Sequence, residues 1–137
     1  MAVKKILVVD DESHIRQLIE QTLIKAKYDV ITAEDGKEAL DKMVSERPDL
    51  IILDIMMPYY DGYEVLQTLR RYPTTRNLPV IILTAKNNDE DVFSAWQAGV
   101  SSYLMKPFNP TELLSYVKKI FDAKKNTGEG TEKRYKL

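Results

Sequence analysis

The sequence contains no cysteine and a single histidine, His14, among its 137 residues. Disulfide bonds, thiolate chemistry and cysteine-ligated zinc are therefore excluded, and so is a metal site built from several histidines. No apolar run approaches the ~20 residues that a membrane span requires. The N-terminus also enters a strand-like segment without the longer apolar stretch of a signal peptide. We therefore expect a cytoplasmic protein without a membrane partner.

The chain also lacks an excess of either charge. Lys and Arg together number 20 and Asp and Glu number 21, which gives a net charge of −1. A protein built to bind nucleic acid usually carries a clear basic excess, so we expect no direct nucleic-acid partner. The 44% of hydrophobic residues is enough for a substantial core, and the length suits one domain.

Five apolar runs of strand length alternate with segments of helical periodicity. The runs lie at 6–9, 30–33, 50–53, 80–83 and 102–105. Strict alternation of strands and helices indicates βαβ units, which build a parallel sheet covered by helices on both faces. The sequence therefore predicts an α/β fold with five strands and five helices.

Several local patterns define the predicted helices. Leu18 belongs to the apolar stripe of the first helix, and Met43 and Val44 belong to that of the second. Asp35 and Glu38 have the spacing of a capping box at the start of the second helix. A fourth helix is expected at about 88–98, and a last helix begins after Asn109.

The chain becomes polar and charged after the last helix. We expect one folded domain at 1–123 and a disordered charged tail at 124–137.

Polar residues follow four of the five predicted strands. The first strand leads into Asp10 and Asp11, and the third into Asp54. The fourth strand leads into Thr84 and the fifth into Lys106. Because ligands of open parallel sheets bind beyond the carboxyl ends of the strands, we expect these side chains to share one site.

Three carboxylates in one site need a compensating charge. At ~4 Å a pair repels by ~4 kcal/mol at an effective dielectric constant near 20. A hard divalent cation removes that repulsion, and a set of oxygen ligands with few carboxylates suits Mg²⁺. Thr84 and Lys106 are donors that can stabilise the charge on a transferring phosphoryl group, and an aspartate can act as the nucleophile.

The residues around this site resemble the response-regulator receiver family, particularly its single-domain, chemotaxis-type members. The resemblance covers about residues 4–121 and rests on five segments in the right order. They are Ile6-Leu-Val-Val-Asp-Asp-Glu12, Leu53-Asp-Ile-Met-Met-Pro58 with Asp61-Gly62, Leu83-Thr-Ala-Lys86, Ala98-Gly99, and Tyr103-Leu-Met-Lys-Pro-Phe108. It implies a flavodoxin-like, doubly wound (βα)5 fold with the strand order 2-1-3-4-5.

The resemblance also implies a role for each site residue. Asp54 would accept a phosphoryl group from a sensor histidine kinase, a phosphotransfer protein or a small phosphodonor. Asp10, Asp11, Asp54 and the backbone carbonyl of Met56 would bind Mg²⁺. The remaining implied roles are a phosphoryl contact and switch at Thr84, a switch aromatic at Tyr103, a phosphoryl contact at Lys106, and a cis peptide between Lys106 and Pro107.

The expected output is a change of surface. Phosphorylation would favour a conformer with Tyr103 turned inward, which reshapes the surface of the fourth helix, the fifth strand and the last helix for a downstream protein. Receivers that dimerise there for DNA binding typically carry an acidic pair before the switch aromatic and an arginine in the last helix. Because Ser101, Ser102 and Tyr116 stand at those places, we expect a stand-alone regulator, monomeric or dimeric only on phosphorylation.

Three other functions compete with this one. A phosphatase of the haloacid-dehalogenase type would need a second aspartate two residues after the nucleophile, where Met56 stands. A flavin or nucleotide binder would need a Gly-rich or Ser/Thr-rich loop after the first strand, where the acidic residues would repel a phosphate. A receiver fragment of a longer DNA-binding or enzymatic regulator is the remaining alternative. We expect no enzyme activity beyond self-phosphorylation and autodephosphorylation.

Overall fold

The computed structural model describes residues 3–57, 61–84 and 99–126, with side chains up to residue 123. Five strands and four helices lie within these residues. The strands are β1 (Lys5–Val9), β2 (Asp29–Ala33), β3 (Leu50–Asp54), β4 (Val80–Thr84) and β5 (Ser102–Met105). The helices are α1 (Ser13–Lys25), α2 (Gly36–Glu46), α3 (Gly62–Arg71) and a C-terminal helix (Pro110–Asn126). The predicted fourth helix lies outside the described residues.

The strands form one parallel sheet in the order β2-β1-β3-β4-β5. Side chains alternate between its two faces, as the two-residue period of a strand requires. Leu7 and Val9 of β1 face the cluster with α2 and α3, whereas Ile6 and Val8 face the cluster with α1 and the C-terminal helix. The predicted α/β fold and strand order are confirmed.

Two predicted core residues are exposed. Val44 is 78% exposed and Leu18 is 41% exposed, so their assignment to the buried stripes was wrong. In α2 the buried stripe is centred on Ala39 and Met43. Val44 lies one residue, or about 100°, further round the helix and so leaves that stripe.

The helix starts differ in their capping. The Asp35 side chain accepts the backbone N–H of Glu38 at 2.8 Å, but the Glu38 carboxylate accepts from Glu34, so the predicted capping box is only half formed. A complete capping box begins α3 instead, between Asp61 and Glu64. The C-terminal helix begins with Asn109 accepting the N–H of Thr111 at 2.8 Å.

The C-terminal helix extends to Asn126, three residues beyond the predicted end of the domain. Ala and Lys are good helix formers, which accounts for this extension. The remainder of the predicted tail lies outside the described residues. None of the helices in the described part of the chain has both the length and the apolar character that a membrane crossing requires.

Gly62 brings the first turn of α3 against the end of β3. A Cβ atom at Gly62 would lie 2.4 Å from the Asp54 carbonyl oxygen and 2.6 Å from the Ile55 Cα. The Gly62 N–H donates to the Ile55 carbonyl at 3.2 Å. Only a residue without a side chain can therefore occupy this position while α3 packs against the strand that carries Asp54.

We predict that Gly62→Ala lowers the free energy of unfolding by about 2–3 kcal/mol, because the methyl group overlaps backbone atoms that cannot rotate away. Gln67→Ala, at an exposed position of the same helix, should change the stability by less than about 0.5 kcal/mol. Urea denaturation of both variants measures the difference. An unchanged midpoint for Gly62→Ala would contradict the close packing at this position.

Candidate functional site

The predicted site residues meet at the carboxyl edge of the sheet. Asp54 and Thr84 are the last residues of β3 and β4, and Lys106 directly follows β5. The Lys106 N–H donates to the Thr84 carbonyl at 2.7 Å, which continues the pairing of β4 and β5 past the last strand residue. Asp10 follows β1, and its N–H donates to the Ala33 carbonyl at 3.2 Å. The strands themselves thus place these polar residues side by side.

Three carboxylates lie within ligand distance of one another. One oxygen each of Asp10, Asp11 and Asp54 can be chosen so that all three lie within 4.8 Å. Asp10 is fully buried and Asp54 is 3% exposed, whereas Asp11 faces solvent. The structure therefore brings together the three aspartates that the sequence predicted as ligands.

The Lys106 ammonium group lies among these carboxylates. Its Nζ atom is 2.9 Å from Asp10 Oδ2 and 3.3 Å from Asp54 Oδ2. It also lies 3.2 Å from Glu12 Oε1. Burial lowers the pKa of the Lys106 ammonium, but the surrounding carboxylates outweigh that effect and raise the pKa. Lys106 therefore remains charged and offsets part of the carboxylate repulsion.

Asp10 is fixed by hydrogen bonds to its backbone carbonyl and to one of its carboxylate oxygens. Its carbonyl accepts Arg16 NH1 at 2.7 Å, and its Oδ1 accepts the N–H of Glu12 at 2.9 Å. The second oxygen, Oδ2, is buried and has no hydrogen bond. The ammonium of Lys106 lies 2.9 Å from this oxygen and forms an ion pair with it.

This donor set fits the cation that the family resemblance implies. A buried carboxylate oxygen without a hydrogen bond is costly unless another positive partner satisfies it. All three side chains offer oxygen, which is the ligand that Mg²⁺ prefers, and the exposed Asp11 leaves the cluster open to water on one side. The residues present can therefore hold Mg²⁺.

Asp54 has an unusual electrostatic environment. Its Oδ1 accepts the Met56 N–H at 3.0 Å, and its Oδ2 contacts Lys106. Burial, and after it the charge of Asp10, raises the pKa of Asp54 to about 7, even though the contacts from Met56 and Lys106 lower it. The metal-free site thus disfavours the charged form of this carboxylate.

The other predicted residues lie nearby in the fold. Thr84 is 4% exposed at the end of β4, and the peptide bond between Lys106 and Pro107 is cis. Tyr103 in β5 is half-buried and packs against the core cluster on the α2 and α3 side. Met56 is 63% exposed, and the role of its carbonyl as a ligand stays a prediction.

Two residues of the site were not predicted from the sequence. Glu12 contacts Lys106. Its position directly after Asp10 and Asp11 was the sequence feature that could have placed it at the site. Gly62 packs on the Asp54 carbonyl, and the complete capping box of α3 could have placed it at a helix start. His14 is exposed, and its Nε2 lies 3.9 Å from Glu12 Oε2.

We predict that Asp54→Asn stabilises the metal-free protein at pH 8 by about 1–3 kcal/mol. In the unfolded chain an aspartate titrates near 3.8, whereas the pKa of Asp54 in the fold is raised to about 7. The native state therefore binds this proton more tightly, and its stability decreases as the pH rises from about 4 to 7. Asparagine keeps an oxygen for the Met56 N–H and removes the buried charge.

Urea denaturation in the presence of a chelator, at pH 8 and pH 4, measures this effect. The gain should shrink at the lower pH, where the carboxyl group is protonated in both states. Asp41→Asn, at an exposed position of α2, is the matched control and should change stability by less than about 0.5 kcal/mol at either pH. A loss of stability for Asp54→Asn at pH 8 would contradict the repulsion inferred here.

Several curated proteins are similar in sequence to this chain. The chain is 47% identical over 117 residues to the alkaline phosphatase synthesis transcriptional regulatory protein PhoP of Bacillus subtilis (strain 168), covering 85% of this chain and 48% of that protein. It is 38% identical over 130 residues to the phosphate regulon transcriptional regulatory protein PhoB of Pseudomonas aeruginosa, covering 95% of this chain and 56% of that protein. The chain thus spans about half the length of the curated relatives it matches.

Solved structures share the fold. The chemotaxis protein CheY4 of Vibrio cholerae superposes with a TM-score of 0.82 at 38% identity, covering 86% of this chain and 98% of that chain. A CheY-like receiver domain protein from Methanospirillum hungatei JF-1 superposes with a TM-score of 0.85 at 31% identity, covering 90% and 98%. The family model described as "Response regulator receiver domain" matches residues 6–118. The chain therefore belongs to the response regulator receiver domain family of two-component signalling.

Proposed function

We propose that this receiver is a phosphorylation switch in which Asp54 accepts a phosphoryl group from the phosphohistidine of a sensor histidine kinase or phosphotransfer protein. The observation that carries the proposal is the cluster of three aspartates with the Lys106 ammonium 3.3 Å from Asp54 Oδ2. Few structural roles need a buried carboxylate pair and a buried cation at the open end of a sheet.

Asp54 is the nucleophile of this reaction. One of its carboxylate oxygens attacks phosphorus, an O–P bond forms, and the N–P bond to the histidine breaks with its electron pair leaving on nitrogen. The N–H of Met56 at 3.0 Å from Oδ1 orients the carboxylate. Because the pKa of Asp54 is raised to about 7, positive charge close to this carboxylate favours its ionised, nucleophilic form.

Lys106 and Thr84 stabilise the phosphoryl oxygens. The Lys106 side chain is 10% exposed and already lies among the carboxylates, so little reorganisation is needed for it to follow the developing charge. Thr84 ends the neighbouring strand and offers a hydroxyl group at the same edge. Asp10, Asp11, Asp54 and the Met56 carbonyl would hold Mg²⁺, which supplies positive charge to the carboxylates and the phosphoryl oxygens.

The phosphorylated state acts through a change of surface. Contact of Thr84 with the phosphoryl group would favour a conformer with Tyr103 turned inward, since Tyr103 lies on the strand that pairs with β4. The surface around β5 and the C-terminal helix then presents a different shape to a downstream protein. We place this switch in the cytoplasm, as a monomer or a phosphorylation-dependent dimer, with no catalysis beyond its own phosphorylation and autodephosphorylation.

We predict that the wild-type protein incubated with Mg²⁺ and acetyl phosphate gains one phosphoryl group, and that Asp54→Asn gains none, because the amide cannot act as the nucleophile. Intact-mass spectrometry measures the label, and amide NMR spectra verify that the variant is folded. Asp41→Asn, exposed on α2, should label at the wild-type rate. Persistent labelling of Asp54→Asn would remove Asp54 from its role, and failure of the wild type to label would reject the proposed function.

A second candidate concerns the length of the natural protein. PhoP and PhoB are named transcriptional regulatory proteins, and this chain spans only 48% and 56% of them. This favours a receiver that controls a DNA-binding part of a longer regulator. In that case the near-neutral charge of the chain assigns the contact with DNA to the other part.

The mass of the native protein separates the two candidates. If the chain is the receiver part of a longer regulator, an antibody raised against it should detect a protein of about twice its mass in cells of its source, because the relatives are about twice as long. A band at the mass of this chain alone supports the stand-alone regulator and contradicts the longer one. A recombinant sample of the 137-residue chain is the size control.

A further inference from the structure

Helix α3 connects the Asp54 site with the start of β5. Its first residue, Gly62, packs against the Asp54 carbonyl, and its last turn carries Arg70. The Arg70 side chain reaches from this turn to the Gly99 carbonyl, three residues before β5 begins. One helix thus contacts both the residue that would be phosphorylated and the entry to the strand that carries Tyr103.

The Arg70 guanidinium joins two separate segments of backbone. Its NH1 nitrogen lies 3.0 Å from the carbonyl oxygens of Arg76 and Leu78 and 3.5 Å from that of Thr75, all in the loop that leads into β4. Its NH2 nitrogen donates to the Gly99 carbonyl at 2.8 Å. The planar fork therefore bridges the entry of β4 and the entry of β5.

The Arg70 guanidinium is a charged donor, and hydrogen bonds from charged donors are stronger than neutral ones. Its contacts with Thr75 and Leu78 are partly buried, whereas those with Arg76 and Gly99 are exposed to solvent. Gly99 has a φ of 82°, a left-handed conformation that favours glycine and fixes the direction of the carbonyl that Arg70 contacts.

Strand β5 is held at both ends. At its entry the Ser101 N–H donates to the Val80 carbonyl at 2.9 Å, next to the Gly99 contact with Arg70. At its exit Lys106 lies 3.3 Å from Asp54 Oδ2. Within the described sheet β5 pairs with β4 alone, and the contacts at its two ends add to that single line of pairing. If Lys106 is displaced, the strand changes conformation between its two ends only when the entry of β5 does not move with it.

We propose that Arg70 is a positioning residue that fixes the entry of β5, so that a change of charge at Asp54 is converted into a response at Tyr103. This inference rests on the proposed phosphorylation of Asp54. Without the guanidinium, the segment before β5 can shift along with Lys106, and the change at the site is no longer concentrated at Tyr103. The competing explanation is that Arg70 only stabilises the loop before β4.

Two variants distinguish these explanations. Arg70→Met removes the charged donor from both segments. Arg70→Lys keeps a cation for the loop carbonyls but loses the planar fork that reaches Gly99 at the same time. Arg71→Met, at the exposed neighbouring position, is the control for charge and helix propensity. Urea denaturation reports the purely structural effect of each substitution.

The deciding readout is the amide NMR response of Tyr103 and Met105 to beryllofluoride with Mg²⁺, measured beside the rate of labelling by acetyl phosphate. We expect both Arg70 variants to label within about twofold of wild type, while their shift change at Tyr103 falls about two- to tenfold. Arg71→Met should retain the full response. Arg70→Lys should lose the response while keeping more stability than Arg70→Met, and it decides the question if the methionine variant does not fold.

A full Tyr103 response in a folded, labelled Arg70 variant would overturn the positioning role and leave Arg70 as a loop contact. That result would not affect the proposed function, because labelling of wild type at Asp54 stands independently. If wild type itself neither labels nor responds to beryllofluoride, the proposed function fails, and the positioning role fails with it.

Discussion

The mutual repulsion of Asp10 and Asp54, both buried at one edge of the sheet, is the constraint on which the chemistry of this domain depends. Folding brings their oxygens together with that of Asp11, within 4.8 Å, and supplies one buried cation, Lys106, against them. One ammonium does not neutralise three carboxylates, and the burial of Asp54, together with the nearby charge of Asp10, raises the pKa of Asp54. The site therefore favours any arrangement that adds positive charge next to these carboxylates, as a divalent cation would.

The apolar core of the parallel sheet offsets the free-energy cost of this repulsion. The apolar strands β1, β3 and β4 bury nearly all of their side chains, and this burial stabilises the fold against the cost of the polar edge. The same strands fix the spacing of the site, because their backbone pairing sets where Asp54 and Thr84 end. Gly62 adds the close approach of α3 to the Asp54 carbonyl, so Asp54 is held by packing as well as by hydrogen bonds.

The α/β class and the grouping of the site residues could be predicted from the sequence because both depend on local patterns, whereas the strand order was implied by the family resemblance. Alternating strand and helix periods indicate a parallel sheet, and a polar residue at the end of a strand must lie at its carboxyl edge. Local sequence patterns do not specify the exact direction of each side chain or the contacts between distant residues. Val44 matched the apolar spacing but lies beyond the buried stripe, and the contact of Arg70 with Gly99 joins residues 29 apart, which no periodicity reveals. The expectation of a stand-alone regulator rested on Ser101, Ser102 and Tyr116, yet the curated relatives are about twice as long, and it is not confirmed.

The two ends of β5 suggest why one domain can serve different outputs. Its exit, at Lys106, belongs to the charged site, where the ammonium lies 3.3 Å from Asp54 Oδ2. Its entry, at Gly99, is held by Arg70 through backbone carbonyls and involves no group of the site. Sequence change on the surface between these anchors, at Met105 or Tyr116, can alter which protein is recognised without touching the carboxylates. A receiver with this arrangement is compatible with a separate partner or with an attached domain, since both anchors of β5 lie within the described residues.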